Sequence, residues 1–320
     1  MINHQSPQAD NFGTSGTTAR PRPPRLEQEL MEIDSAAFAW RVALWMTLMV
    51  VGFWLSMQSG AWLIAGGIFL LGIAMTHGVE LSHQALHYTG FRSRLLNEIF
   101  GVAMGLPMLV SFYEYRINHL KHHALLGTPM NREFFDYGSD TWTLKGLALR
   151  FLMLHHYMSF FKKLVRTLFG LTVGDYHIRH RGKVRLFYMI ATLALAALAF
   201  TCWLSNSLDP LLIWLAALVF VASPLHALIE MPEHYGCNEN STDAFENTRT
   251  VKSNWFMAWF TNYNNFHVEH HIWVNAPIQK LHLLHARCRD KSKYLNIGYW
   301  QFYISALRNA RASINTQLGN

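Results

Sequence analysis

The chain has 320 residues, of which 51% are hydrophobic, 14% aromatic and only 15% charged, against roughly 25% charged in a soluble domain. That deficit argues against a purely soluble protein, while a mean hydropathy of +0.09 argues against a many-span transporter; a few spans and a large polar lobe fit better. The net charge of +7 and pI near 9.4, beside apolar runs, suit lipid headgroups better than nucleic acid.

In chain order, residues 1–35 read as a disordered arm, with Gly, Thr and Ser followed by Arg20-Pro21-Arg22-Pro23-Pro24-Arg25. No apolar run precedes them, so a cleavable signal peptide is not expected. Two apolar runs follow, Ala36–Met57 and Ala61–Val79, separated by a short break at Gly60. Each is long enough, at ~1.5 Å per residue, to cross ~30 Å of hydrocarbon. A second pair comes much later, Leu186–Leu204 and Leu211–Ile229, broken at Ser205–Pro210. The expected fold is an all-α membrane protein with four transmembrane helices in two hairpins and a helical lobe. Domain bounds are expected at 36–290 for the catalytic unit and 291–320 for an interfacial helix and tail.

The two short breaks carry no Lys or Arg, whereas residues 80–185 carry fourteen and the stretch after 230 carries nine. By the positive-inside rule both large segments and the termini face the cytoplasm. Ile99–Phe112 is too short for an ordinary span and contains Pro107, so it is expected to lie on the surface or re-enter. Residues 294–310 mix aromatics with Arg308 and read as an interfacial helix. Cys202, Cys237 and Cys288 are far apart, which excludes a disulfide framework and a zinc ribbon.

Chemistry is carried by histidine. His83 and His87 stand at i, i+4, and His119, His122, His123 and His267, His270, His271 each stand at i, i+3, i+4. On a helix such positions share a face, so three imidazoles are expected to converge. Three histidines in five residues, found twice, are poorly explained by packing, because imidazoles buried without partners are costly. A zinc protease would carry Glu after its first histidine; here Gln84 stands there, which rejects that reading. His234 lies just past the fourth run, with Glu230 and Glu233 beside it, and is a ninth candidate ligand. His226 and Glu230 are candidates to support the ligands from behind. His155, His156, His177, His180, His282 and His285 lack paired spacing at a span end and are read as surface or interface residues, and His77 as hydrogen-bonding a neighbouring span.

Nine imidazoles are too many for one zinc, which takes four ligands; two metals with four or five nitrogens each fit. Ligand type alone leaves iron, copper, nickel and zinc open. Chemistry at a membrane face favours a di-iron pair, since no side chain breaks an unactivated C–H bond unaided.

The ordered boxes HxxxH, HxxHH and HxxHH around two membrane hairpins resemble the membrane-bound fatty acid desaturase superfamily, which includes alkane and carotenoid hydroxylases and ketolases. The resemblance covers about residues 60–290. Gly127-Thr128-Pro129-Met130-Asn131 with Asp136, and His271-Ile272-Trp273-Val274-Asn275-Ala276-Pro277, are similar to segments that follow the family's second and third boxes. The resemblance implies a non-haem centre of two Fe ions, O2 as co-substrate, and metal ligands His83, His87, His119, His122, His123, His234, His267, His270 and His271. No catalytic residue beyond these is implied; Asn265 joins Glu230 and His226 as a residue supporting the ligands.

In some members an Asn acts through water four residues before the His234 equivalent; here Glu230 stands there, a departure. Glu233-His234-Tyr235-Gly236 is similar to a segment of alkane hydroxylases, and His267 in place of Gln argues against a front-end desaturase. The implied activity is desaturation of a fatty acyl chain in a lipid. The alternative is hydroxylation or ketone formation on an alkyl chain or carotenoid, and a remote one is metal transport. Electrons are expected from a separate ferredoxin, rubredoxin or b-type cytochrome, in a bacterial inner membrane.

Overall fold

Four long helices carry the apolar runs, in a computed structural model that describes residues 26–132, 134–135 and 144–318. They are α1 (Ser35–Ser56) and α2 (Ala61–Leu86), and, after an intervening lobe, α7 (Ile178–Leu204) and α8 (Asp209–Glu233). All four are long and apolar enough to cross a membrane. The arm at 1–25 and Asp136 lie outside the described residues.

The hairpins close through small residues. A Cβ on Gly67 would lie 2.5 Å from the Ser56 backbone nitrogen, and one on Gly72 would lie 2.4 Å from the Val221 Cβ. Such close helix contact is how spans associate when lipid is as apolar as their side chains. Thr76 Oγ1 donates to Ala222 O at 3.1 Å, tying α2 to α8 across the hairpins. Within α8, Pro224 lacks an N–H, and the six residues before Ser223 (Ala217–Ala222) form a π-helical stretch that absorbs the lost bond. Replacing Gly72 with Leu is expected to force these helices apart, costing about 1–3 kcal/mol. A thermal melt in detergent should fall by several degrees; an unchanged midpoint would show that this contact is not tight.

Between the spans lie α3 (Arg94–Gly105), α4 (Phe112–Leu125), α5 (Leu144–Leu152) and α6 (Leu154–Leu168). The helices Arg94–Met108 and Phe112–Leu125 meet at 98°. This bend falls in the segment expected to re-enter or lie on the surface. Leu109 takes a positive φ of 58° there, and Ser111 caps α4 by accepting from the Glu114 N–H.

After α8 come β1 (Arg249–Lys252), α9 (Trp255–Phe260), α10 (His267–Ile272), α11 (Leu281–Cys288), β2 (Tyr294–Ile297) and α12 (Tyr299–Leu318). β1 and β2 pair in parallel, with Arg249 opposite Tyr294. The interfacial helix expected over 294–310 therefore starts at Tyr299, because its first residues are drawn into strand pairing with β1.

Candidate metal centre

The first spans are lipid-facing at one end and buried at the other. In α2 every residue from Ala74 to Leu86 is buried, which is the whole C-terminal half of the helix. That end carries His83, with His87 as the C-cap. Because the chain leaves the membrane at the end of α2 and re-enters at α7, the lobe between them lies on the same side as these two histidines. α4 brings in His119, His122 and His123, a short 3-10 turn after Glu230 delivers His234, and α10 carries His267, His270 and His271.

Nine imidazoles gather there in two sets. His83, His87, His119, His123 and His270 form one, and His122, His234, His267 and His271 form the other; within each, ligand atoms lie within 4.8 Å of one another. The expectation that each HxxHH box converges on one point is corrected. His119 and His123, at i, i+4, join the first set while His122 joins the second; His267 and His271 join the second while His270 joins the first. Adjacent helical positions diverge by about 100°, whereas i and i+4 nearly eclipse. The sets abut where His123 Nδ1 lies 3.2 Å from His271 Nδ1.

The spacing fits metal. In the first set, His119 Nε2 lies 2.7 Å from His83 Nε2, 2.8 Å from His123 Nε2 and 3.3 Å from His270 Nε2. In the second, His234 Nε2 lies 3.2 Å from His122 Nε2 and 3.1 Å from His267 Nε2, and His271 Nε2 lies 3.1 Å from His267 Nε2. Nitrogens bonded at about 2.1 Å to one ion stand roughly 3.0–3.4 Å apart for right-angle or tetrahedral geometry. A single imidazole N–H cannot satisfy three such neighbours, and His87 Nε2 is buried with no hydrogen-bond partner.

Tautomers in the second set are fixed from behind. His234 Nδ1 lies 2.9 Å from the Asn247 carbonyl, which only accepts, so Nδ1 holds the proton and Nε2 keeps its lone pair. Asn264 Nδ2 donates to Glu233 Oε1 at 2.8 Å, which orients that amide so that its Oδ1 accepts from His267 Nδ1 at 3.2 Å. His122 Nδ1 is held the same way by Asn131 Oδ1 at 3.0 Å. The His267 Nε2 lone pair then faces Glu233 Oε2 at 3.2 Å, and if the carboxylate is ionised these are two opposed acceptors that a cation between or beside them would relieve. Burial and neighbouring imidazoles hold His267, His270 and His271 well below the usual histidine pKa, so their rings are neutral and free to ligate.

Three carboxylates, Glu80, Glu230 and Glu233, line the cavity against His83, His119, His122, His234 and His267. Glu80 is buried, and its Oε2 has no partner. Three acids in one enclosed space repel unless cations or protons compensate them, and neighbouring metal ions would do so. Glu80 is missed by a reading of the boxes alone; α2 places it three residues before His83 and on the same face.

Of the supporting residues expected, Glu230 lines the cavity and its Oε2 lies 3.3 Å from His226 Nδ1. Asn265 points elsewhere: its Nδ2 donates to Val251 O at 2.8 Å and its Oδ1 accepts from Thr261 at 3.0 Å, bracing the loop before α10 on β1. The side chain that orients His267 is Asn264, one residue earlier. Gln84, whose identity argues against a protease, accepts from Asn262 Nδ2 at 2.8 Å and so ties the first box to the loop before the third. His77 Nδ1 lies 2.8 Å from the Phe260 carbonyl of α9 rather than on a neighbouring span. His285 and His282 also sit behind the centre, the first on Glu269 at 2.6 Å and the second stacked on Tyr263 at 4.4 Å.

Four apolar spans capped at one end by two nests of imidazoles define a multi-pass membrane protein with a histidine-rich candidate metal centre. The family model for fatty acid desaturase matches residues 59–303, and the chain belongs to that family. Among characterised relatives it is 26% identical over 243 residues to an acyl-lipid (9-3)-desaturase of Physcomitrium patens, covering 65% of this chain and 44% of the relative. It is 23% identical over 235 residues to a dihydrorhizobitoxine desaturase of Bradyrhizobium elkanii, covering 69% of this chain and 66% of the relative. The match thus spans less than two thirds of either relative.

Proposed function

We propose that the protein is an O2-dependent di-iron desaturase that introduces a double bond into a fatty acyl chain of a lipid. The observation that carries this reading is the division of nine imidazoles into sets of five and four at one end of the spans. His83, His87, His119, His123 and His270 would hold one iron, and His122, His234, His267 and His271 the other. When bound, the pair supplies the oxidising power of O2 and two electrons that abstraction from an unactivated C–H bond demands. Removing two hydrogens from adjacent methylenes, with two further protons and two electrons, reduces O2 to two waters. Glu80, Glu230 and Glu233 are placed to hold protons at the cavity wall, and Asn264 keeps Glu233 and His267 in register.

Electrons would arrive from a separate donor, a ferredoxin, rubredoxin or b-type cytochrome, drawn to the basic lobe. This reading puts the termini and the centre on the cytoplasmic side of a bacterial inner membrane; the fourteen and nine Lys and Arg of the two large segments, against none in the short breaks, support that orientation. A second reading, oxygen insertion by a hydroxylase or ketolase, is favoured by Glu230 and by the Glu233-His234-Tyr235-Gly236 segment. Metal transport is disfavoured because a transporter holds its ligands near mid-span. Mass spectrometry of lipids from an expressing host tests the choice. Desaturation predicts an acyl product lighter by two hydrogens, and a product heavier by one oxygen would replace it with hydroxylation.

A further inference from the structure

A second cavity lies away from the histidines, between residues 170–176 and the first two turns of α7, lined by Gly170–Gly174, Tyr176, Arg181, Val184 and Arg185. Its wall is braced: Arg166 Nε donates to Thr172 O at 2.7 Å, and a Cβ on Gly174 would lie 2.6 Å from the Tyr176 ring. Arg181 Nε donates to Tyr176 O at 2.8 Å, which holds its guanidinium at the cavity wall. Among the described residues Arg185 has no acceptor at all.

The first two turns of α7 carry Arg179, Arg181, Lys183 and Arg185 and no acid. This is the wrong sign for a helix N-terminus, where the macrodipole repels cations. Lys183 is paired with Glu98 at 2.6 Å, but among the described residues the two arginines in the cavity have no carboxylate. Arg185 directly precedes the apolar run that starts at Leu186, so the cavity stands at headgroup depth.

Beside it, α6 turns Leu154, Met158, Phe161, Val165 and Leu168 outward, 44–60% exposed, while Phe160 and Leu164 pack inward. Those five recur at i, i+4, i+7, i+11 and i+14, a single helical stripe that continues into Phe169, 76% exposed. An apolar stripe flanked by Arg and Lys is the pattern of a helix lying in the bilayer boundary.

We propose that this cavity binds the phosphodiester headgroup of an anionic phospholipid, with α6 lying in the same leaflet. The guanidinium groups supply the paired donors that phosphate oxygens accept, and the apolar stripe covers the acyl chains below. The proposal needs only the membrane-spanning fold, so it stands or falls apart from the di-iron reading.

The test is native mass spectrometry of the delipidated full chain in neutral detergent, titrated with palmitoyl-oleoyl phosphatidylglycerol or phosphatidylcholine. Expected is one saturable phosphatidylglycerol, bound about thirtyfold more weakly by the Arg181→Gln/Arg185→Gln double variant. The exposed-site control Lys252→Gln should bind as wild type, and thermal melts check that both variants remain folded. Equal binding of the two lipids, displacement by inorganic phosphate at equal concentration, or an unchanged double variant would each overturn the proposal.

Discussion

Replacing His270 with Ala is expected to abolish turnover and empty the five-histidine site while leaving membrane insertion intact. His270 Nε2 stands 3.3 Å from His119 Nε2 and 3.0 Å from His123 Nε2, so its ring closes that set from the opposite wall of the cavity. It is fully buried, and no neighbouring side chain is placed to take over. Residues that merely orient a ligand change metal affinity by roughly 10–100-fold, so loss of the ligand itself should cost more than about 100-fold. The chain should still insert, because the four spans owe nothing to this ring. His155, exposed on α6, is the matched control: His155→Ala should retain full metal and activity. Wild-type iron content in the His270 variant, or iron lost from the His155 variant, would show the ligand set to be wrong.

The second large effect is expected behind the metal, at Glu269. This carboxylate is fully buried between two ligands in sequence but points away from them. Its Oε2 accepts from Thr250 of β1 at 2.6 Å, and its Oε1 lies 2.6 Å from His285 Nδ1 of α11. α10 is only six residues long, too short to hold its own register, so these two contacts set where its three histidines face. Glu269→Ala would strand the buried Thr250 hydroxyl and the partly buried His285 ring nitrogen, a cost of about 1–3 kcal/mol for each. Because α10 serves both sets, metal should be lost from both sites together, with a lower melting temperature. Glu269→Gln keeps the volume and one acceptor and should fall in between. An alanine variant that melts as wild type and keeps its full metal would remove Glu269 from this role.

Much of this was legible in the chain. Apolar run length gave four spans, and repeated i, i+4 spacing gave the histidines, because both signals are local and set by helix geometry. His234 was legible only by its place past the fourth span. What the sequence withheld depends on contacts between distant segments. The five-and-four division mixes all three boxes, and it follows from how α2, α4 and α10 face one another. The exchange of Asn265 for Asn264 is a matter of one residue's rotation in a loop where Asn262 and Tyr263 take positive φ of 48° and 67°, which no periodicity reports. The strand at Tyr294–Ile297 exists only because β1, some forty residues earlier in the chain, is there to pair with it. Glu80 stands just past the apolar run that ends at Val79 and carries no local signal, because its partners arrive from elsewhere.

The central claim is two metal sites built by nine imidazoles, and the direct measurement is metal per chain in protein purified from iron-replete cells, read by elemental analysis with Mössbauer spectroscopy. The account predicts two irons per chain in nitrogen-rich, non-haem environments. One ion per chain, or a full complement of zinc with no iron-dependent turnover, would contradict it.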